Sequence, residues 1–269
     1  MNILITNDDG YGAWGIEALI EAVSKKHNVF VIAPDGNRSG NSMCIHLYSS
    51  FKLYKKDEQK WACEGTPADC VNVALKGNLL NCKIDAVLSG INKGQNIGTD
   101  IIYSGTCAAA KGAVIFGIPG VAVSMQLACE NDSDWNDRSK WHFESIASFV
   151  ADNLEKLCSL CRPASGGKMP DEKCAFINVN ARSLKSFKGV KITDVCFREY
   201  TDDKAEISFK DGSSDTAECV FLGGEGESDQ RSYSDYQACK DGYISVSRVI
   251  AEPCSANDDL NLDSIGFSL

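Results

Sequence analysis

Asn7-Asp8-Asp9-Gly10 stands directly behind a short apolar run, Asn2 to Thr6. Two adjacent carboxylates repel each other, which raises the pKa of at least one of them unless a cation is near. A hard divalent ion, which takes oxygen ligands, resolves that conflict. The same four residues are also good turn formers, so taken alone they admit a solvated turn as well.

Three further segments carry residues of the right kind. Arg38-Ser39-Gly40 sets a hydroxyl beside a cation, although a surface turn reads the same way. Ser89 to Gly98 is punctuated by glycines and holds Asn92 and Asn96. An asparagine offers a carbonyl oxygen to a metal or amide N–H groups to a phosphate. An ordinary long loop is the plainer reading of this stretch. Ser104-Gly105-Thr106 precedes Ala108-Ala109-Ala110, a strong helix former. Free N–H groups at a helix start bind anions, and the same hydroxyls can simply cap the helix. In combination, carboxylates, amides, a hydroxyl and an anion site match metal-assisted phosphoryl transfer.

Other chemistries lack their residues. His27, His46 and His142 are the only histidines and none are paired at helical spacing, which disfavours a histidine-type zinc hydrolase. His46, alone near the Ser39 loop, reads as structural or solvent-facing. The chain has no G-x-x-x-x-G-K-[ST] loop and no convincing G-x-G-x-x-G, so P-loop and dinucleotide readings lose support. Asp-x-Asp is missing after the first strand, which weakens an aspartyl-phosphate route. The 13 cysteines are odd in number and scattered, and Cys158-x-x-Cys161 has no second pair, so free thiols are expected. A net charge of −10 repels polyanions, so no duplex nucleic acid partner is expected. No signal-peptide pattern opens the chain and no run nears the roughly 20 apolar residues of a membrane span. A cytoplasmic protein without a membrane partner is the expectation.

The elements that must position these residues alternate. Strands are predicted at Asn2–Thr6, Val29–Ala33, Ile84–Ser89, Gly120–Ser124 and Ala175–Val179. Helices are predicted at Gly15–Lys26, from Thr66-Pro67-Ala68-Asp69 onward, at Thr106–Phe116, and over Phe143 to Leu157. Asn131–Asp137 reads as a loop and Ser165-Gly166-Gly167 as a turn. Such alternation predicts an α/β fold with a doubly wound, mostly parallel sheet, whose ligands bind beyond the carboxyl ends of the strands. After about Lys188 the texture changes to short alternating segments, including Ala205–Lys210 and Cys219–Leu222. The expected division is therefore a core over 1–187 and a β-rich extension over 188–269.

Four stretches in order resemble the SurE survival-protein nucleotidases: Ile3-Leu4-Ile5-Thr6-Asn7-Asp8-Asp9-Gly10, Ala33-Pro34-Asp35 running to Arg38-Ser39-Gly40, Gly65-Thr66-Pro67-Ala68-Asp69-Cys70-Val71, and Ser89 to Thr106. The likeness covers roughly the first 125 residues well, with echoes at Ile177–Asn180 and Asp241–Val246. It implies a Rossmann-like three-layer α/β/α core, with a β-rich extension exchanged between subunits of a homodimer or homotetramer. It also implies one divalent ion per subunit, Mg²⁺ or Mn²⁺, held by Asp8, Asp9, Ser39 and Asn96. Asn92, Ser104, Gly105 and Thr106 would hold the phosphate, with Asp8 and Asp9 in the catalytic role. The implied activity is hydrolysis of nucleoside 5′- and 3′-monophosphates. The rival readings are a non-catalytic nucleotide- or phosphate-binding assembly protein and an enzyme acting mainly as an exopolyphosphatase. Ala181-Arg182 and Ser247-Arg248-Val249 depart from the resembled pattern, and both lie away from the metal residues.

Overall fold

Strand β1 (Asn2–Thr6) alternates its side chains between two cores. Ile3 and Ile5 pack with Ile16, Leu19 and Ile146, while Leu4 packs with Val71, Ala109 and Ala113. An apolar strand with no polar face must be covered on both sides, and it is. The computed structural model describes residues 1–128, 132–165, 173–201, 203–209, 216–222, 226–228 and 231–253.

The chain continues through α1 (Trp14–Ser24), β2 (Asn28–Pro34), the β3 and β4 pair (Leu53–Asp57, Lys60–Cys63), α2 (Pro67–Lys76) and β5 (Ala86–Lys93). Next come α3 (Gly105–Ile115), β6 (Gly120–Gln126), α4 (Asp132–Trp135), α5 (Phe143–Asp152), α6 (Leu154–Leu160) and β7 (Ala175–Arg182). The last part holds β8 (Val190–Ile192), β9 (Arg198–Tyr200), β10 (Lys204–Phe209), β11 (Ala217–Leu222), β12 (Gly226–Ser228), α7 (Asp235–Lys240) and β13 (Ile244–Ile250).

Nine strands form one sheet in the order β3-β4-β2-β1-β5-β6-β7-β13-β8. The neighbours from β4 through β7 run parallel, and β3 and β13 each pair antiparallel with a neighbour. From β1 the chain winds outward to β2, then returns to β5 on the other side of β1. The connections leaving β1 and β5 therefore diverge, and a crevice opens at their carboxyl ends. Asp8, Asp9 and Asn92 all follow or end these two strands.

Helix α3 lies close on the sheet because its buried face is made of Ala108, Ala109, Ala110, Gly112 and Ala113. At Gly120 a Cβ would come within 2.1 Å of the Ala110 carbonyl oxygen. Small residues thus permit the close approach, and that approach fixes where the start of α3 points. Helix α2 begins as predicted, with a capping box. The Asp69 N–H donates to Thr66 Oγ1, and the Thr66 N–H donates to Asp69 Oδ2. Such a cap contributes about 1 kcal/mol.

Several expectations shift in detail. Strand β5 runs on to Lys93, so Asn92 sits on a strand rather than in a loop. The pairing of β5 with β6 slips between Ser89 and Asn92, a bulge that re-aims the residues after it. The single helix expected over Phe143 to Leu157 is broken at Asn153, whose Nδ2 donates to the Phe149 carbonyl. The loop expected at Asn131–Asp137 contains the short helix α4, and Asn131 lies outside the described residues. Of the expected turn at Ser165-Gly166-Gly167, both glycines lie outside them as well.

The sheet does not stop at the expected boundary of 187/188. Strands β13 and β8 extend it beyond β7, and among the described residues after β7 the strands that leave it lie between β8 and β13. That stretch forms two antiparallel ribbons, β10 with β11 and β9 with β12. Both predicted alternating segments fall on the β10–β11 ribbon, apart from Lys210, which lies outside the described residues, and every described residue of the ribbon is exposed. Among the described residues no helix is long and apolar enough to cross a membrane. Every described cysteine is a free thiol. Cys158 and Cys161 are buried, and burial pushes their thiols up to about 12 and about 11, which makes them inert.

Candidate active site

The turn after β1 is closed by Asn7. Its Nδ2 donates to the Gly10 carbonyl at 3.0 Å, and the Gly10 N–H returns a bond to Asn7 Oδ1 at 3.2 Å. Gly10 has φ +106° and its α-carbon faces Gly36, where a Cβ would meet backbone at 3.0 Å. Only glycine fits both constraints. The loop after β2 is tied to the same turn. The Arg38 N–H donates to the Asp8 carbonyl and the Tyr11 N–H to the Pro34 carbonyl, each at 2.7 Å. Ser39 follows Arg38 in this tied loop, its own N–H donating to Asn37 Oδ1 and its side chain exposed. Arg38 itself turns away, its guanidinium spent on Asp35 and the Glu64 carbonyl.

Asp8 is 3 % exposed and sits at the start of α3. The Thr106 hydroxyl, fully buried, donates to Asp8 Oδ1. The Gly105 and Thr106 backbone N–H groups also act on the carboxylate. A Cβ on Gly105 would lie 3.0 Å from Asp8 Cβ and 3.1 Å from Oδ2, so glycine is what allows the helix start to reach the carboxylate. Burial nonetheless raises the Asp8 pKa, against the lowering from the Thr106 hydroxyl and these amides. Asp9 accepts from the Lys93 N–H through Oδ2 at 2.9 Å. Burial first, and then the Asp8 charge, push its pKa up to about 6.

Asn96 is fixed from three sides. Its N–H donates to Asn180 Oδ1 at 2.9 Å and its Nδ2 to Ser124 Oγ at 2.8 Å. Its backbone carbonyl accepts from Asn178 Nδ2 at 2.8 Å and Asn180 Nδ2 at 3.0 Å. With Nδ2 committed, the side-chain oxygen is the atom left to offer a cation. Asn92 Nδ2 donates to the Gly94 carbonyl at 2.8 Å. Ser104 caps α3 by accepting from the Cys107 N–H at 3.0 Å.

Sequence reasoning missed the supports of this site. Asn178 and Asn180 are polar residues two apart on an otherwise apolar strand, and that spacing puts both on one face. Buried Asp235 accepts from the Gly98 N–H at 2.9 Å and the Cys196 N–H at 3.0 Å. Asp100 accepts from Arg198 at 2.6 Å and Tyr200 at 2.7 Å. Residues from the expected extension thus clamp the loop that carries Asn96. His46 is also anchored, its Nδ1 2.7 Å from Asp69 Oδ2.

The donor set suits a divalent ion. Asp8 and Asp9 are two adjacent, largely buried carboxylates, and among the described residues neither lies within ion-pair distance of a lysine or arginine. Carboxylate, hydroxyl and amide oxygens together favour a hard cation such as Mg²⁺ or Mn²⁺. No cluster of three or more His, Cys, Asp or Glu suited to a metal occurs among the described residues, which leaves this mixed oxygen set.

Asp9 also predicts a pH response of the metal-free protein. Its folded pKa, about 6, lies above its unfolded value near 3.8. The folded state therefore binds the extra proton between these values, and stability falls as pH rises from about 4 to about 6. The loss is on the order of 3 kcal/mol, complete above pH 6 and absent below pH 4. Urea unfolding in EDTA at pH 4.5 and 7 should show it, and Asp9→Asn should flatten it. Parallel pH slopes for the two proteins would rule it out.

A doubly wound α/β sheet with a carboxylate pair and a helix start at its switch point defines an α/β protein whose ligand crevice lies beyond the carboxyl ends of β1 and β5. The family described as Survival protein SurE matches residues 3–202, and the chain belongs to it. The chain is 34 % identical over 250 residues to 5′-nucleotidase SurE of Actinobacillus succinogenes, covering 93 % of this chain and 92 % of the relative. It is 39 % identical over 190 residues to 5′-nucleotidase SurE of Treponema pallidum, covering 70 % and 93 %. The crystal structure of the SurE protein from Aquifex aeolicus superposes with a TM-score of 0.73 at 31 % identity, over 94 % of this chain and 95 % of that one.

Proposed function

We propose that the chain is a divalent-metal-dependent phosphomonoesterase that hydrolyses nucleoside 5′-monophosphates, and 3′-monophosphates as well, to nucleoside and phosphate. The observation that carries this reading is the adjacent Asp8–Asp9 pair, Asp8 buried and Asp9 partly buried, set against the start of α3, with no lysine or arginine in ion-pair contact among the described residues and the Lys93 charge acting on Asp9 from farther off. Asp8, Asp9, Ser39 and Asn96 would hold one Mg²⁺ or Mn²⁺ per subunit. The bound ion would supply Lewis acidity toward the phosphoryl oxygen and a lowered pKa for water. Asn92 and the N–H groups at Ser104, Gly105 and Thr106 hold the phosphate and stabilise its developing charge. Thr106 serves in addition by fixing one oxygen of Asp8, so that the other is left for the ion. Asp9 is held by the Lys93 N–H and orients from the opposite side. The acidic chain and the site's shape favour a small cytoplasmic nucleotide over a duplex. A homodimer or homotetramer is the proposed assembly.

The test is phosphate release from adenosine 5′-monophosphate, adenosine 3′-monophosphate and tripolyphosphate. Release should need Mg²⁺ or Mn²⁺, stop in EDTA and return when the ion is restored. Faster release from longer polyphosphates would favour the exopolyphosphatase reading. Tight nucleotide binding with no release under any ion would favour a binding protein.

A further inference from the structure

Beside Asp9 lies a cavity of about 300 Å³, the lower end of the range for small-molecule sites, roughly 300–1,000 Å³. Trp14, Asn37, Lys93, Asn136 and Phe143 line it together with Asp9. Of its two aromatic walls, Phe143 is fully buried, while Trp14 keeps 37 % of its surface open. Lys93 is fixed by indoles on several sides. Its ammonium lies 5.2 Å from the Trp14 ring centre, 5.0 Å from Trp135 and 5.8 Å from Trp141. Such contacts hold a cation in place without neutralising it.

The hydrogen-bonding lining is one-sided. Asn37 Oδ1 already accepts from the Ser39 N–H at 2.7 Å, which leaves its Nδ2 donors. Asn136 Oδ1 already accepts from Lys93 Nζ at 3.3 Å, which leaves its Nδ2 donors too. Lys93 has three N–H groups and spends one. Lys93 is the one group of this wall that donates only, and the two amides add more free N–H groups than free lone pairs.

We propose that this cavity is the nucleobase subsite and that it selects 6-oxopurines over adenine. The proposal rests on the nucleotidase reading for the occupant's identity. A base stacks on Trp14, the rigid flat surface that every purine can use. A 6-oxopurine presents two neighbouring acceptors, O6 and N7, to a wall of donors. Adenine presents its N6 amino donors at the same place, where they meet the Lys93 ammonium, which accepts no hydrogen bond. A paired contact of this kind is worth about tenfold or more in discrimination.

Inosine and adenosine differ in that edge and carry no phosphate, so their binding is independent of turnover. Titration of the intact protein in Mg²⁺, followed by intrinsic tryptophan fluorescence, should give a Kd for inosine at least about tenfold below that for adenosine. Lys93→Met should bring the two constants together, and Trp14→Ala should weaken both. Asn136→Ala, at an exposed position, should narrow the gap and serves should Lys93→Met misfold. Equal affinities in the wild type, or a preference that survives both Lys93→Met and Asn136→Ala, would overturn the proposal. Phosphate release separates the two ideas. Metal-dependent release with no base preference in binding sinks the subsite alone. An inosine preference with no release from any ester sinks the nucleotidase reading alone.

Discussion

Asp8→Asn lowers phosphate release by roughly 10³-fold or more while leaving a folded protein, since Lewis-acid stabilisation is worth several kcal/mol and each 1.4 kcal/mol is tenfold. Three facts combine in this result. Asp8 is almost wholly buried, so without an ion its charge works against the stability of the chain. Burial already raises its pKa, which means that the metal-free site holds the charged form at a cost. Replacement by the neutral isostere removes that cost and the charge that a divalent ion needs. Melting in EDTA should therefore come at or above the wild-type temperature, and turnover should not recover at high Mn²⁺. Activity within tenfold of wild type with an unchanged metal requirement would remove Asp8 from the site.

Thr106→Val has the second largest expected effect, and its kinetic form separates two roles. The hydroxyl of Thr106 is spent on Asp8 Oδ1. Valine keeps the shape but leaves a buried carboxylate oxygen without its donor, a loss of about 1–3 kcal/mol. A residue that orients a metal ligand typically costs about 10–100-fold in metal affinity or activity when lost. The metal concentration for half-maximal release should rise by that order, and Thr106→Ser should restore most of it. If Thr106 acts on phosphate directly, KM for nucleotide would rise instead and the metal requirement would stay put.

Much of this arrangement is legible in the sequence because local chemistry and fold agree there. The strand before Asp8 is short and apolar, and Thr66-Pro67-Ala68-Asp69 specifies a helix start that the structure contains. Asp8 lies nearly a hundred residues from Gly105 and Thr106, yet residue type marks both segments as candidates, each with a plain turn or capping reading beside it, and their conjunction singles them out. What the sequence hides is pairing at long range. Nothing local says that Asn180 accepts from the Asn96 N–H, or that Asp235 holds the loop at Gly98. Those bonds depend on which strands become neighbours. The same holds for β13, whose alternation reads as a separate ribbon until its pairing with β7 is known. The cage around Lys93 is hidden for a related reason, since Trp14, Trp135 and Trp141 meet only through tertiary packing. Asn92 reads as a loop residue in the sequence because the glycines around it mask a strand that continues through a bulge.

The central claim is that Asp8 and Asp9 share one divalent ion. Calorimetric titration of the metal-free protein with Mn²⁺ tests it most directly. The account predicts one ion per chain in the wild type and none in the Asp8→Asn, Asp9→Asn double variant. An unchanged stoichiometry in the double variant, or no binding by the wild type, would contradict it.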